Sequence, residues 1–376
     1  VYASDVAQPL AAEAEVVALC DRRGQALGTA LWSPKSPIPV RVLARDAVTL
    51  DRSLLAARLD AALVRRGTDG YVARADAESA ARLVHGEADL LPGLIVDRYA
   101  DVVVLQTTAL ALDRREALVA ELLRERTGAR LVVARDDGSA RDFEGLPRRS
   151  GVLLGDGSTS VRYRDAGSLV EVDVLADGKT GGFLDQVANH AVAGRYARGD
   201  CLDAFTYHGG FALALCKGGA RSVLALDESE SAIGRARANA TRNGYAQLVA
   251  EVDNAFDRFR ALEAANRRFD TIVVDPPALA KRRGRGRDGL ETALRAYKEL
   301  NLRAFRIASA GAVVISCSCS GRVDNAAFSE MLAAAARDAG RTVQVLERRG
   351  AGADHPILLG VPETEYLKCH VLRVLA

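Results

Sequence analysis

Two cysteines one residue apart, in Cys317-Ser318-Cys319-Ser320-Gly321, follow directly on the short apolar run Ala312–Ser316. A thiol just past the carboxyl end of a strand, partly exposed and ionised, can act as a nucleophile. On a cytosine ring, a thiolate adding to C6 makes the otherwise unreactive C5 enamine-like and ready to take a methyl group. Loss of the C5 proton then expels the thiol. Cys319 stands further into the Ser/Gly exit than Cys317, so Cys319 is the expected nucleophile and Cys317 the reserve. The competing reading is that both are small core residues, as cysteines commonly are. A second run, Thr271–Val274, ends in Asp275-Pro276-Pro277-Ala278-Leu279. Two prolines there force an extended exit and remove two backbone donors, leaving carbonyls for a substrate. Asp275 is expected at the reacting edge with Cys319.

A row of acids follows the other apolar runs. Cys201–Phe205 leads through Asp203, Phe205 and Tyr207-His208-Gly209-Gly210 into an alanine-rich helical stretch. Asp227 ends the next run, 24 residues after Asp203, and Asp253-Asn254 follow Leu248–Val252. Ligands of open parallel sheets bind at the carboxyl ends of the strands, and an acid after the second strand suits two ribose hydroxyls. Any one of these acids could be a helix N-cap. Three after three successive strands point to an adenosyl cofactor, and the absence of G-x-G-x-x-G disfavours a dinucleotide.

The elements that must position these groups separate into three regions. Residues 15–43 read as short strands: Glu15–Cys20, Ala26–Trp32 and Pro39–Leu43, around a proline loop. A helix over Asp51–Arg66 follows, then strands Leu94–Asp97 and Val102–Thr107, one helix from about Leu110 to Arg126 closed by Gly128, strand Leu131–Val133, and β-type segments over Gly151–Val174. From about Gly178 strands and helices alternate, as in a doubly wound α/β sheet. Thr342–Arg348 and Tyr366–Val374 read as a closing pair of antiparallel edge strands.

Several stretches together resemble the bacterial 23S ribosomal RNA 5-methylcytosine methyltransferase family with an N-terminal PUA domain. They are Glu87–Tyr99, Lys179–Gln186, the Asp203–Phe211 turn, Asp275-Pro276-Pro277, Ser318-Cys319-Ser320-Gly321, Asp354-His355-Pro356 and Tyr366-Leu367-Lys368. The resemblance covers essentially the whole chain. It implies a PUA-like β-barrel (1–47, shortened at its start), a small central α+β domain (48–165) and a class I, Rossmann-like methyltransferase domain (166–376). It implies S-adenosyl-L-methionine as cofactor, with Lys179, Thr180, Phe183 and Gln186 over its methionine end. Asp203, Phe205, Tyr207, Gly209, Asp227, Asp253, Asn254 and Asp275 would complete the cofactor site. It places the nucleophile on Cys319 and implies ribosomal RNA, naked or in a subunit particle, as partner. The chain departs from the family pattern at Val187, at Asn189-His190 where Asn-Arg is usual, and at His208 where a small hydroxyl residue is usual.

The whole chain sets bounds. Its 376 residues, 49% hydrophobic and 27% charged, suit a multidomain soluble enzyme, and a net charge of +2 leaves RNA affinity to local patches. Six cysteines without C-x-x-C pairing indicate neither zinc nor a disulfide framework, and a reducing, cytoplasmic setting is expected. No apolar run would span a membrane. The first residue is not Met, and the numbering is expected to start inside a longer product. Lys281–Arg287 holds five basic residues among glycines, a flexible arm suited to phosphates and expected to order only with RNA. Tyr207, Phe183 and Tyr366 are stacking candidates, and His355 receives no role. Alternatives stay open: methylation of a guanine nitrogen, a small-molecule substrate, or an RNA-binding assembly factor without turnover. Oligomeric state, a homodimer included, is not legible.

Overall fold

Runs rich in β-branched and small apolar residues at Val16–Cys20, Ala26–Trp32 and Val40–Ala44 form strands β1, β2 and β3. They pair antiparallel in that order, with Ala30, Trp32 and Val40 as a core of their own. The computed structural model describes residues 1–6, 15–68, 78–279 and 287–375. Among the described residues, this three-stranded sheet is what represents the expected barrel. The chain divides into two units: Val1–Tyr163 with Glu171–Leu184 and Ala353–Thr364, and Arg164–Val170 with Asp185–Gly352 and Glu365–Ala376.

The rest of the first unit is a five-stranded sheet and its helices. Helix α1 (Arg52–Thr68) buries Leu55, Leu59 and Ala62 at helical spacing. Strands β4 (Ala80–His85), β5 (Leu94–Tyr99), β6 (Val102–Thr107), β7 (Leu131–Asp136) and β8 (Arg149–Leu154) lie in sequential order. Only β6 and β7 are parallel, and α2 (Leu110–Asp113) and α3 (Glu116–Thr127) fill the crossover. Helix α4 (Ala140–Glu144) precedes β8. Two expectations need correction. Strand β4 goes unread in the sequence because Arg82 interrupts its apolar residues, and that arginine turns inward to Asp97. The single helix from Leu110 to Arg126 is two, broken where Arg115 leaves the helical region (φ −111°) and Asp113 accepts from Arg141 and Arg149. Gly128, at φ +64°, closes α3 as the sequence indicates.

A hairpin follows, β9 (Ser160–Asp165) and β10 (Ser168–Asp173). Its two-residue turn has φ +47° at Ala166 and +84° at Gly167, the mirror-image geometry that matches strand twist.

The second unit is a seven-stranded sheet between two layers of helices. After α5 (Val187–Tyr196) come β11 (Asp200–Asp203), α6 (Gly210–Lys217), β12 (Ser222–Asp227), α7 (Glu230–Arg242), β13 (Leu248–Val252) and α8 (Ala255–Ala264). Then follow β14 (Phe269–Val274), α9 (Arg287–Ile307), β15 (Ala308–Ser318), α10 (Asn325–Asp338), β16 (Val343–Arg349) and β17 (Lys368–Val374). The order is β13-β12-β11-β14-β15-β17-β16, parallel through β15 and antiparallel beyond it. One face packs on Phe259, Tyr297, Phe305 and Phe328, the other on Val192, Phe211, Leu215 and Ile233. The sequence reading of two closing edge strands holds only for β16. Strand β17 pairs on both sides and is buried along its length, as its unbroken Cys-His-Val-Leu run requires. Among the described residues no helix is long and apolar enough to cross a membrane.

Candidate active site

In the second unit the strand order turns back between β11 and β14, and in such sheets the crevice beyond the carboxyl ends at that point takes ligands. The expected acids stand there. Asp203 ends β11 fully buried; one carboxylate oxygen accepts from the Ala212 amide at 3.0 Å, and the other makes no contact of good hydrogen-bond geometry, with the Thr206 hydroxyl as its nearest donor. Burial pushes this carboxyl up to about 6. Asp227 ends β12 and accepts from the amides of Tyr207 and Ser229, both at 2.9 Å, which leaves each oxygen a second lone pair. Asp253 accepts from the Asn254 amide at 2.8 Å and lies 3.4 Å from an Arg258 nitrogen. Asn254 is also the N-cap of α8, accepting from the Asp257 amide at 3.1 Å. For this residue the structure shows the helix cap that the sequence reading weighed for the neighbouring acids.

The turn between Asp203 and α6 is built on left-handed backbone, φ +50° at Tyr207 and +94° at Gly209. Phe205 packs against the sheet core, and the Tyr207 and His208 rings stack 3.6 Å apart, nearly parallel. His208, a departure from the family pattern, is buried by this stacking. The departure at His190 has a structural partner too. His190 is buried with its Nδ1 2.7 Å from an Asp165 carboxylate oxygen and its ring edge-on to Phe211. Burial alone would lower its pKa, but the carboxylates of Asp165, Asp275 and Asp203 outweigh that and raise it. A Cβ on Gly210 would fall 2.3 Å from this ring, so the second glycine of the turn makes room for His190.

The Lys179–Gln186 segment is divided between the units. In the first, β5 holds it. The Thr180 hydroxyl donates to Asp97 at 2.7 Å and lies 3.0 Å from the Tyr99 hydroxyl, which also accepts from the Gly182 amide at 2.9 Å. The Lys179 ammonium sits 3.9 Å over the Phe183 ring. Two sequence stretches singled out independently, Glu87–Tyr99 and Lys179–Gln186, are thus joined through alternate residues on one face of a strand.

Gln186 belongs to the second unit, where its amide donates to Asp275 at 2.9 Å. Asn189 donates to the Gln186 carbonyl oxygen at 2.7 Å and accepts from Arg349 at 3.0 Å, which fixes the amide's orientation. The two cysteines differ sharply. Cys317 is fully buried in strand register with Cys369, and burial, followed by that neighbouring thiol, raises its pKa well above the ordinary value. Cys319 follows the last residue of β15 and is half-buried, with the Ser320 hydroxyl bound to Tyr297 at 3.1 Å beside it. The Tyr366 hydroxyl donates to Asp185 at 2.7 Å.

Sequence reasoning passed over His190 with Asp165, Asn189, Tyr297 and Lys368 as parts of this region. Asn189 and His190 stood in a departure from the family pattern and Lys368 in the Tyr366-Leu367-Lys368 stretch, whereas nothing in the sequence marked Asp165 or Tyr297. The basic residues 281–286 lie outside the described residues, and Arg287 begins α9.

Comparison with known proteins agrees with this geometry. Residues 1–45 match the family described as PUA-like domain, and residues 153–356 match that described as S-adenosylmethionine-dependent methyltransferase. A SAM-dependent methyltransferase reported from Streptococcus mutans has the same fold, with TM-score 0.81 at 19% identity over 96% of this chain and 91% of that one. A methyltransferase structure in complex with SAH gives 0.81 at 18% identity, with the same coverage. Proteins named ribosomal RNA large subunit methyltransferase I are closer in sequence. Those of Tolumonas auensis and Photobacterium profundum are each 36% identical, over 96% and 95% of this chain and 91% and 90% of theirs. The fold is that of a class I S-adenosylmethionine-dependent methyltransferase with an N-terminal PUA-like domain. The chain belongs to this methyltransferase family and, within it, to the group of the ribosomal RNA large subunit methyltransferase I proteins.

Proposed function

We propose that this chain methylates carbon 5 of a cytosine in large-subunit ribosomal RNA, in the cytoplasm, with Cys319 as nucleophile. The observation that carries the reading is the half-exposed thiol just past the end of β15, one strand from Asp275, while its neighbour Cys317 is sealed in the sheet. The names of the relatives support ribosomal RNA as the substrate class.

The residues present suit the cofactor. A buried carboxylate oxygen without a hydrogen bond of good geometry, as on Asp203, is costly unless a ligand donates to it. In this reading Asp203 and the Phe205–Gly209 turn, with Asp227, Asp253 and Asn254, hold the adenosyl part. Gln186 and Asp275 serve the methionine end. S-adenosylmethionine supplies, when bound, the electrophilic methyl group. Cys319 adds to C6 as the thiolate, which raises electron density at C5. Asp275, oriented by Gln186, accepts the C5 proton after methylation, and the electron pair released expels Cys319. The target base must be unpaired or extruded, since a stacked cytosine hides its C6 face. The basic segment 281–287 and the PUA-like domain are the proposed RNA contacts.

The test is methyl transfer from labelled S-adenosylmethionine to ribosomal RNA with nucleoside analysis. Wild type and Cys317→Ala should yield 5-methylcytosine, and Cys319→Ala should yield none. Methylguanine as product, or an active Cys319→Ala, sinks the thiol mechanism and leaves the guanine-nitrogen reading.

A further inference from the structure

Lys368 is the first residue of β17, opposite Ser318 in the β15 register, and its side chain is almost completely buried. Its ammonium donates to the carbonyl of Ser320 at 2.7 Å and to that of Tyr366 at 2.8 Å. Among the described residues it forms no ion pair. Taking an ammonium out of water without an anion at contact is expensive, and proteins ordinarily avoid it. The two carbonyls satisfy two of its three donors and leave the charge uncompensated.

The carbonyl it grips belongs to the residue immediately after Cys319. The Ser320 hydroxyl is held from the other side by Tyr297 of α9 at 3.1 Å, and the Ser320 amide lies 3.3 Å from the Ser318 hydroxyl. Cys319 is therefore half-buried between two pinned serines at the exit of β15, with a buried cation held on the residue after it. A cation beside a thiol favours the thiolate, and the thiolate is the species that attacks carbon.

We propose that Lys368 is the positioning residue of Cys319, holding the exit of β15 through the Ser320 carbonyl and supplying the positive charge against which the thiol ionises. This rests on the reading of Cys319 as nucleophile. The electrostatics run the same way. Burial draws the Lys368 pKa down, and the foremost influence opposing it is Cys319, ahead of Asp324 and Glu365. Such influence is mutual: a thiolate that stabilises the ammonium is stabilised by it to the same extent. Cys319 likewise raises the pKa of Tyr297, behind the dominant effect of burial.

The test reads the thiol directly. Cys319 and the exposed Cys20 are the cysteines not buried, so Cys20→Ser leaves one accessible thiol in the native chain. The rate of its alkylation by iodoacetamide is followed against pH, and the site is confirmed by peptide mass. In the intact chain the midpoint should lie below the ordinary thiol value of about 8.5. Lys368→Met, close in length and uncharged, should move it up by about one pH unit and slow methyl transfer at pH 7 by about tenfold. Activity should recover at higher pH, whereas a purely structural loss would lower it equally at every pH. A midpoint at or above about 8.5 in the intact chain overturns the proposal without any variant, so unfolding of Lys368→Met would not shelter it. An unshifted profile in a folded Lys368→Met overturns it as well. The alkylation profile is independent of the reaction catalysed, so failure here is distinct from failure of the cytosine reading, which shows as an active Cys319→Ala.

Discussion

Asp89 just before β5, Asp97 within it and Asp203 at the end of β11 are all deeply buried carboxylates, and their surroundings treat them in opposite ways. The two acids of the first unit are saturated. Asp89 receives both ends of the Arg66 fork at 2.7 Å, Arg65 at 2.6 Å and the His85 amide at 2.7 Å. Asp97 receives the Arg82 fork at 2.7 and 2.9 Å together with the Thr180 hydroxyl. Burial would raise both, yet the arginines hold both below the ordinary value. In the second unit Asp203 is as deeply buried, has one amide and the Thr206 hydroxyl but no arginine fork, and is pushed up by burial to about 6. A charge that only builds structure is paid for in place; one kept incomplete implies a partner that arrives later.

The comparison breaks most visibly at Arg66. Its guanidinium also donates to the Arg82 and Asp354 carbonyls at 2.9 Å, so Arg66→Ala takes the buried cation from Asp89, leaving it the partly exposed Arg65 and the His85 amide, and orphans two acceptors. Removing one member of a buried pair costs about 3–5 kcal/mol. Urea unfolding should show a loss of this size in the first unit, with S-adenosylmethionine affinity in surviving native protein unchanged. A loss below about 1 kcal/mol would mean that Asp89 is not held as the fork geometry implies.

Asp203 sharpens the contrast through pH. Its folded pKa is raised, so its contribution to stability is fully present below the ordinary 3.8 and is lost as pH rises through about 6. The whole interval amounts to about 3 kcal/mol, of which about 1.4 kcal/mol falls between pH 7.5 and 5. Asp89 and Asp97 run the other way, stabilising above the ordinary carboxyl value and failing as pH drops through their lowered ones. Unfolding of wild type and Asp203→Asn at pH 7.5 and 5 isolates the first effect: wild type should gain on the variant by about 1.4 kcal/mol on acidification. His190 faces Asp203 and titrates with it, so the variant removes part of that contribution too. A difference that stays flat would show that Asp203 is solvated or already paired. The Asp203→Asn variant should also bind S-adenosylmethionine about tenfold more weakly, the loss of one charge-assisted hydrogen bond.

This contrast also marks what the sequence could say. The strands and the acids at their ends were legible because apolar runs of strand length reach Asp203, Asp227 and Asp275, but β11 stops two residues before the expected Phe205 and β15 runs two residues past the expected Ser316, which keeps Cys317 in the sheet and leaves Cys319 just beyond it. The saturation of Asp89 and Asp97 was not, because Arg66 enters the sequence reading only as the last residue of a helix and Arg82 lies in a strand that went unread. Their burial depends on pairing with residues remote in the sequence, which periodicity does not encode. Lys368 stands in a recognisable motif yet carries no visible role there, since only the β15–β17 register brings it under Cys319. The split of the Leu110–Arg126 helix was hidden for the same reason, as Asp113 is claimed by arginines from α4 and β8.

His190 with Asp165 is the one place beside Asp203 where the second unit adopts the first unit's solution, and it yields the smallest effect. Gly210 is not in left-handed backbone, so Gly210→Ala would ordinarily gain about 0.5–1 kcal/mol of helix propensity. Here the new methyl meets the His190 ring at 2.3 Å, and the ring is fixed by Asp165 on one side and Phe211 on another. Overpacking of that kind costs about 1–3 kcal/mol, so a net loss of about 1 kcal/mol is expected in urea unfolding. His190→Ala removes the obstacle together with the pair. In the double variant the alanine at 210 should become neutral or stabilising, a positive coupling of about 1–2 kcal/mol in a double-mutant cycle. Zero coupling would mean that the ring moves aside freely, and the Asp165 pairing would then not be the restraint that these distances imply.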